Sequence, residues 1–251
     1  MKSEQLLPKP FEWITISAGS VTLITENHWR DNYIPKEKGV TFAIPAFEMA
    51  KYPITNSQFR LFIDAGGYSN DVWWTPNGIL QRNVENWTQP LYWNDVQWNG
   101  SDYPVVGVSW YEAIAFCNWL SDITGEKILL PSEQQWQRAA QGDDARQYPW
   151  GDKWNRLCIN KNKKTTDMTT RVNQYEGKGD SPFGIVDMVG NVWEWCLNTY
   201  TTGDNDLTAT EHRVSRGGSR HYKYVVNFRA IYRHYEMPEC RNIYGGFRIM
   251  R

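Results

Sequence analysis

A phenol, two imidazoles and two carboxylates are the side chains of this sequence best placed to do chemistry. Tyr222, His221 and His234 lie in RGGSRHYKYVVNFRAIYRHYEMPECRNIYGGFR, residues 216–248. An imidazole titrates near neutrality, so it can serve as a proton carrier or a metal ligand. The four histidines are His28, His212, His221 and His234, and none forms an HxxxH or HxxE pair that would spell out a facial triad. His221 and His234 would have to converge in space. In DMVGNVWEW, Asp187 and Glu194 flank a Gly-Asn turn. Hard cations take carboxylate and carbonyl oxygens from such turns; the same carboxylates could instead cap turns and pair with arginines. The four cysteines, Cys117, Cys158, Cys196 and Cys240, form no CxxC, which argues against a zinc site of the usual spacing. Cys117 in an apolar helical pattern and Cys196 after VWEW read as buried thiols.

The formal charge is −1 and the pI about 6.4, so no global field steers the chain toward nucleic acid or an anionic membrane. The 14 Trp and 14 Tyr point instead to broad amphipathic surfaces. The first residues, MKSEQLLPKPFEW, lack the apolar core of a signal peptide, and no run approaches the roughly 18 apolar residues of a membrane span. The expected compartment is the cytoplasm, with reduced thiols.

Capping chemistry announces the elements that must position these groups. Thr55 and Gln58, Ser109 and Glu112, and Ser132 and Gln135 each stand three apart at the head of an apolar-periodic segment. They predict helices ending near Gly66, Gly125 and Gly142. FEWITISAGSVTLIT reads as two strands around a Gly-Ser turn, and VTFAIPAFEMAKY as one strand with Pro45 at an edge or bulge. GIVDMVG, RVSRGGS, VVNFRAIYR and GFRIMR are further strand candidates. Residues 68–104, rich in Trp and turn formers, read as a folded loop. The expected class is α+β, in a single domain over 1–251 with few helices, short antiparallel strands and much irregular loop.

SPFGIVDMVGNVWEWC, with YPITNSQF, PVVGVSWYEAIAFCNWLS, LPSEQQWQRAA, YPWGD, RGGS and GFR, resembles the formylglycine-generating-enzyme family, the sulfatase-modifying-factor domain, from about residue 13 to residue 251. That resemblance implies a C-type-lectin-like fold. It also implies a structural calcium on Asp187, Gly190, Val192 and Glu194, the two middle residues through backbone oxygens. A second calcium would fall on Asn160, Lys161, Asn173 and Tyr175. Family oxidases hold copper on two cysteines just after RGGS. Here Tyr222 and Asn227 stand roughly at those positions and Arg220 replaces the usual Trp, so no copper and no formylglycine-generating oxidation are expected. The related ergothioneine-type sulfoxide synthases take their iron from histidines of a separate N-terminal helical domain.

A third branch, the variable proteins of diversity-generating retroelements, keeps a frame between RGGS and GFR and varies what lies between. The frame here would be Arg229, Arg233, Pro238, Arg241, Gly246, Phe247 and Arg248, with arginines pairing buried carboxylates and carbonyls. Most interleaved residues, though not Lys223, Glu236 or Met237, are types reachable by replacing adenines in an asparagine codon. The resemblance therefore implies a non-catalytic ligand-binding protein that displays residues 216–248 to a protein or small polar ligand. Contacts would come from Arg220, His221, Tyr222, Tyr224, Asn227, Tyr232, His234, Tyr235, Asn242 and Tyr244, since Tyr and Arg dominate binding hot spots. The competing expectation is a metal-dependent oxidoreductase of the sulfoxide-synthase or formylglycine-generating type, with His221, His234 and Tyr222 near the metal and a partner domain to complete the site.

Overall fold

The computed structural model describes residues 1–24, 39–160, 168–222 and 224–251. The three expected helices form where their caps place them. They are α2 (Asn56–Asp64), α4 (Trp110–Thr124) and α5 (Glu133–Gln141), following a short α1 (Ser3–Leu6). At α4, Ser109 Oγ accepts from the Glu112 amide at 3.1 Å, and Glu112 Oε2 accepts from the Ser109 amide at 2.7 Å. The same reciprocal bonds close Thr55 with Gln58 and Ser132 with Gln135. Gly125 and Gly142, at φ of 67° and 68°, stop α4 and α5. The tryptophan-rich stretch contains one unforeseen helix, α3 (Pro76–Val84), started by Pro76 and by Thr75 Oγ1 accepting from the Gly78 amide.

The strands depart further from expectation. β1 (Trp13–Ile16) and β2 (Gly19–Leu23) do not pair with each other, and Gly19 and Ser20 lie inside β2. VTFAIPAFEMAKY splits at Pro45 and Ala46 into β3 (Val40–Ile44) and β4 (Phe47–Ala50), because proline can neither donate to a ladder nor relax its φ. β1 then pairs with β4 and β2 with β3, both antiparallel. A four-stranded sheet runs in the order β7-β6-β5-β8, from β5 (Trp193–Thr199), β6 (Arg213–Arg216), β7 (His234–Glu236) and β8 (Gly245–Gly246). GIVDMVG is not a strand: Gly184, Asp187 and Gly190 all have positive φ, which breaks any extended run. VVNFRAIYR is not one either; Val225–Phe228 make a 3₁₀ turn, and extended backbone resumes only at His234. In GFRIMR the backbone runs along β4, where the Ala50 amide donates to the Ile249 carbonyl and the Glu48 amide to that of Arg251.

β5 separates two cores. Trp195 packs into one, around Phe59, Phe116, Trp119 and Phe247; Cys196 packs into the other, around Met49, Trp136, Val214 and Phe228. Consecutive strand residues face opposite ways, so VWEWC reads as apolar on both sides.

Buried arginines tie these pieces together. Arg248 and Glu194, both fully buried, form a fork: Arg248 Nε donates to Glu194 Oε2 and Nη2 to Oε1, each at 2.6 Å. Trp136 Nε1 adds a third bond to Oε2 at 2.7 Å, and the Arg248 guanidinium also reaches the carbonyls of Ala50 and Val186. Glu133 receives both Arg216, at 3.1 Å, and Arg233, at 2.6 Å. Glu112 receives Arg241 at 3.1 Å. Removing one partner of a buried pair strands the other's charge, at a cost of about 3–5 kcal/mol. Arg248→Ala should lower the unfolding free energy by about that amount in urea titration; a loss below about 1 kcal/mol would show that the fork does not hold the fold.

Candidate functional site

The RGGS turn delivers the candidate residues. Gly217 and Gly218 sit at φ of 99° and 73°, and a Cβ on Gly218 would lie 2.6 Å from the Asn227 carbonyl oxygen. Only glycine fits that approach, and it lays Ser219–Tyr222 beside the 3₁₀ turn. On the neighbouring strands, Ser215 of β6 stands opposite His234 of β7. Two residues on, Glu236 shares the face of His234.

Trp193, at the head of β5, is the centre of the cluster. The His234 ring stacks on it with centroids 4.6 Å apart and 26° between planes. Tyr222 meets Trp193 edge-on at 5.2 Å, and Tyr232 lies at 6.0 Å. Farther out, His221 stacks on Tyr244 at 5.4 Å, and Tyr222 meets Tyr244 edge-on at 6.3 Å. Perpendicular and offset contacts of this kind are the favourable ones for quadrupolar rings. His234 Nε2 lies 3.3 Å from both the Tyr222 hydroxyl and Glu236 Oε1. A neutral Nε2 can accept from the phenol, and a protonated one can donate to the carboxylate.

Burial, with the charges of Tyr244 and Glu236, pushes the Tyr222 hydroxyl up to about 12. Burial and then Glu236 raise Tyr244 too. Both phenols are therefore neutral near pH 7, able to donate hydrogen bonds but poor bases. Beneath the rings, Trp195, Ser215, His234, Glu236, Asn242 and Tyr244 bound a cavity of about 10 Å³. That is room for one water at most.

Six of the ten expected contact residues thus gather around Trp193: His221, Tyr222, Tyr232, His234, Asn242 and Tyr244. The other four go elsewhere. Arg220 is buried with its guanidinium 4.6 Å over the Trp98 ring. Asn227 is buried in the 3₁₀ turn, and Tyr224 stands 61% exposed. Tyr235 points off the opposite face of β7, against Tyr200 at 4.4 Å and His212 at 4.9 Å. Trp193, Ser215 and Glu236 join the site without having been expected there. The i, i+2 spacing of His234 and Glu236 was the available signal, and it needed a strand at 234–236 to be read.

Among the described residues, no three His, Cys, Asp or Glu side chains come together to hold a metal; His28 and Lys161 lie outside those residues. Cys117 and Cys196 are buried, as expected, and burial pushes both thiols up. For calcium, Asp187 Oδ1 is buried without a hydrogen-bond partner, while Oδ2 accepts from Asn191 Nδ2 at 2.9 Å. The orphaned Asp187 oxygen is thus the group at the Gly190-Asn191 turn with capacity for a hard cation, while both Glu194 oxygens are already engaged by Arg248 and Trp136. The second set is described only in part, since Lys161 lies outside the described residues. The Tyr175 carbonyl accepts from the amides of Lys178 and Gly179, Asn173 is exposed, and Asn160 Nδ2 donates to the Met168 carbonyl and to Asn191 Oδ1.

Residues 2–251 match the family described as "Sulfatase-modifying factor enzyme 1-like domain". The hercynine oxygenase of Mycolicibacterium smegmatis is 29% identical over 91% of this chain and 58% of its own length. The chain thus spans little more than half of that relative. Two solved structures share the fold. Treponema denticola variable protein 1 has a TM-score of 0.67 at 21% identity, with 96% of this chain and 94% of that one covered. PvdO from Pseudomonas aeruginosa has a TM-score of 0.70 at 19% identity, with 95% and 93% covered. The C-type-lectin-like architecture expected from the motifs is the architecture found. No helix among the described residues is long and apolar enough to cross a membrane.

Proposed function

The chain belongs to the sulfatase-modifying factor enzyme 1-like family, and from that premise we propose that it is a non-catalytic ligand-binding protein whose residues 216–248 form the binding face. The observation that carries this reading is the closed cleft. Tyr222 and His234 pack on Trp193, and the cavity that Trp193 and His234 line with Tyr244 holds about 10 Å³, too little for a substrate. The same segment turns His221, Tyr224 and Tyr235 outward. A scaffold held by buried arginine forks can carry varied residues on that face with little effect on its core, as a retroelement-diversified segment requires. A near-copy of the gene's 3′ end, with adenines at the interleaved codons, would mark that origin.

The competing reading is an oxidoreductase, and what favours it is the similarity to a protein named hercynine oxygenase. One experiment separates them. The purified protein is incubated anaerobically with Fe(II) or Cu(I), desalted, assayed for metal, and then followed for oxygen consumption with a thiol. Binding alone predicts substoichiometric metal and no consumption above the buffer rate. Stoichiometric metal with turnover would overturn it.

We further propose that calcium binds at Asp187 as a structural ion. Ligand at about 100 times its Kd stabilises the native state by about 2.7 kcal/mol, which in a domain this size is roughly 5–10 °C in Tm. Calcium should produce such a shift in the wild type and none in Asp187→Ala. An unshifted wild-type melt counts against the site.

A further inference from the structure

This chain seats its arginines in one recurring way, with the guanidinium plane over an aromatic ring and the charged fork on a carboxylate. Arg233 lies 4.5 Å over Tyr200 and binds Glu133. Arg241 lies 4.7 Å over Trp87 and binds Glu112. Arg251 lies 4.9 Å over Trp13 and binds Glu48 at 2.8 Å. Arg82 lies 5.0 Å over Trp74 and binds Asp71. The guanidinium suits such seats because it is flat, weakly hydrated and forked. The ring quadrupole attracts the cation as well.

The binding face carries the same two halves of a seat. Glu236 stands among Tyr222, Tyr244 and His234, with its side chain 28% exposed. Its carboxylate acts electrostatically on both phenols, raising each beyond the effect of burial. Among the described residues, Glu236 makes its one ion pair with His234, and only when the imidazole is protonated; the Cys240 thiol also hydrogen-bonds to it. The neighbouring arginines are committed elsewhere: Arg220 over Trp98, Arg233 on Glu133 and Arg241 on Glu112.

Building on the ligand-binding reading above, we propose that this face takes the guanidinium of an arginine side chain from a polypeptide partner, its fork on Glu236 and its plane against the Tyr244 ring. Charge complementarity selects a cation, and ring faces beside the carboxylate select a flat one. A lysine ammonium could neutralise Glu236 but has no flat surface to stack.

The test is an NMR-detected titration of the purified protein with three probes: N-acetyl-arginine amide, its neutral isostere N-acetyl-citrulline amide, and N-acetyl-lysine amide. Saturable shifts with the arginine probe are expected, with affinity at least about tenfold above either other probe. Glu236→Gln and Tyr244→Leu should each weaken arginine binding by about tenfold. Circular dichroism should confirm that both variants stay folded. Equal affinity for citrulline or lysine overturns the proposal, as does an unaffected Glu236→Gln or the absence of saturable arginine binding. Each of those results leaves the choice between binding protein and oxidoreductase to the metal and oxygen measurement, so the two ideas fail separately.

Discussion

The fork between Arg248 and Glu194 holds together parts of the chain that regular secondary structure leaves unconnected. It joins the C-terminal segment to β5 and, through Trp136, to α5; its remaining donors reach carbonyls of β4 and of the turn at Val186. Two fully buried charges in such a place would be costly if either lacked its partner. Here both carboxylate oxygens and the donors facing them are bonded, so the charge becomes a constraint on geometry. The backbone gains partners that a longer sheet would otherwise have supplied, and satisfying carbonyls is obligatory once they are buried.

The same device explains why the proposed binding face is well placed. Arg216 and Arg233 converge on Glu133 at the start of α5, fixing β6 and the entry to β7 from behind. Arg241 does the same for the segment after β7 by binding Glu112 in α4. With the backbone held from the core side, the outward residues need contribute little to stability. His221, which is exposed, is then free to be chosen for what it touches, whereas Tyr222 also packs against the core. Trp193 is the exception, since it belongs to β5 and forms the floor on which the display residues rest.

How the cleft is filled decides its chemistry more than which reactive groups it contains. A phenol, an imidazole and a carboxylate meet within 3.3 Å contacts, a set many enzymes use. Yet the phenol and the carboxylate share one nitrogen of the ring instead of flanking it, so they compete for it and do not form a relay. The phenols are held neutral by burial.

Capping boxes were legible because they are local: Thr55 and Gln58, Ser109 and Glu112, and Ser132 and Gln135 satisfy each other within one turn, so spacing alone reveals them. The motifs around GNVWEW, RGGS and GFR likewise carried the family and its fold. Strand partners were not legible, because β1 and β2 find theirs across the break at Pro45, and nothing local says which edge a short strand will meet. For the site, sequence supplied the segment and six of the residues that gather in it. Only the tertiary structure brought in Trp193, Ser215 and Glu236, turned Tyr235 to the far face and drew Arg220 inward over Trp98. The reason is physical. A residue's type and local spacing set what it can bond to, but long-range packing of β5, β6 and β7 sets which face it occupies and therefore what it meets.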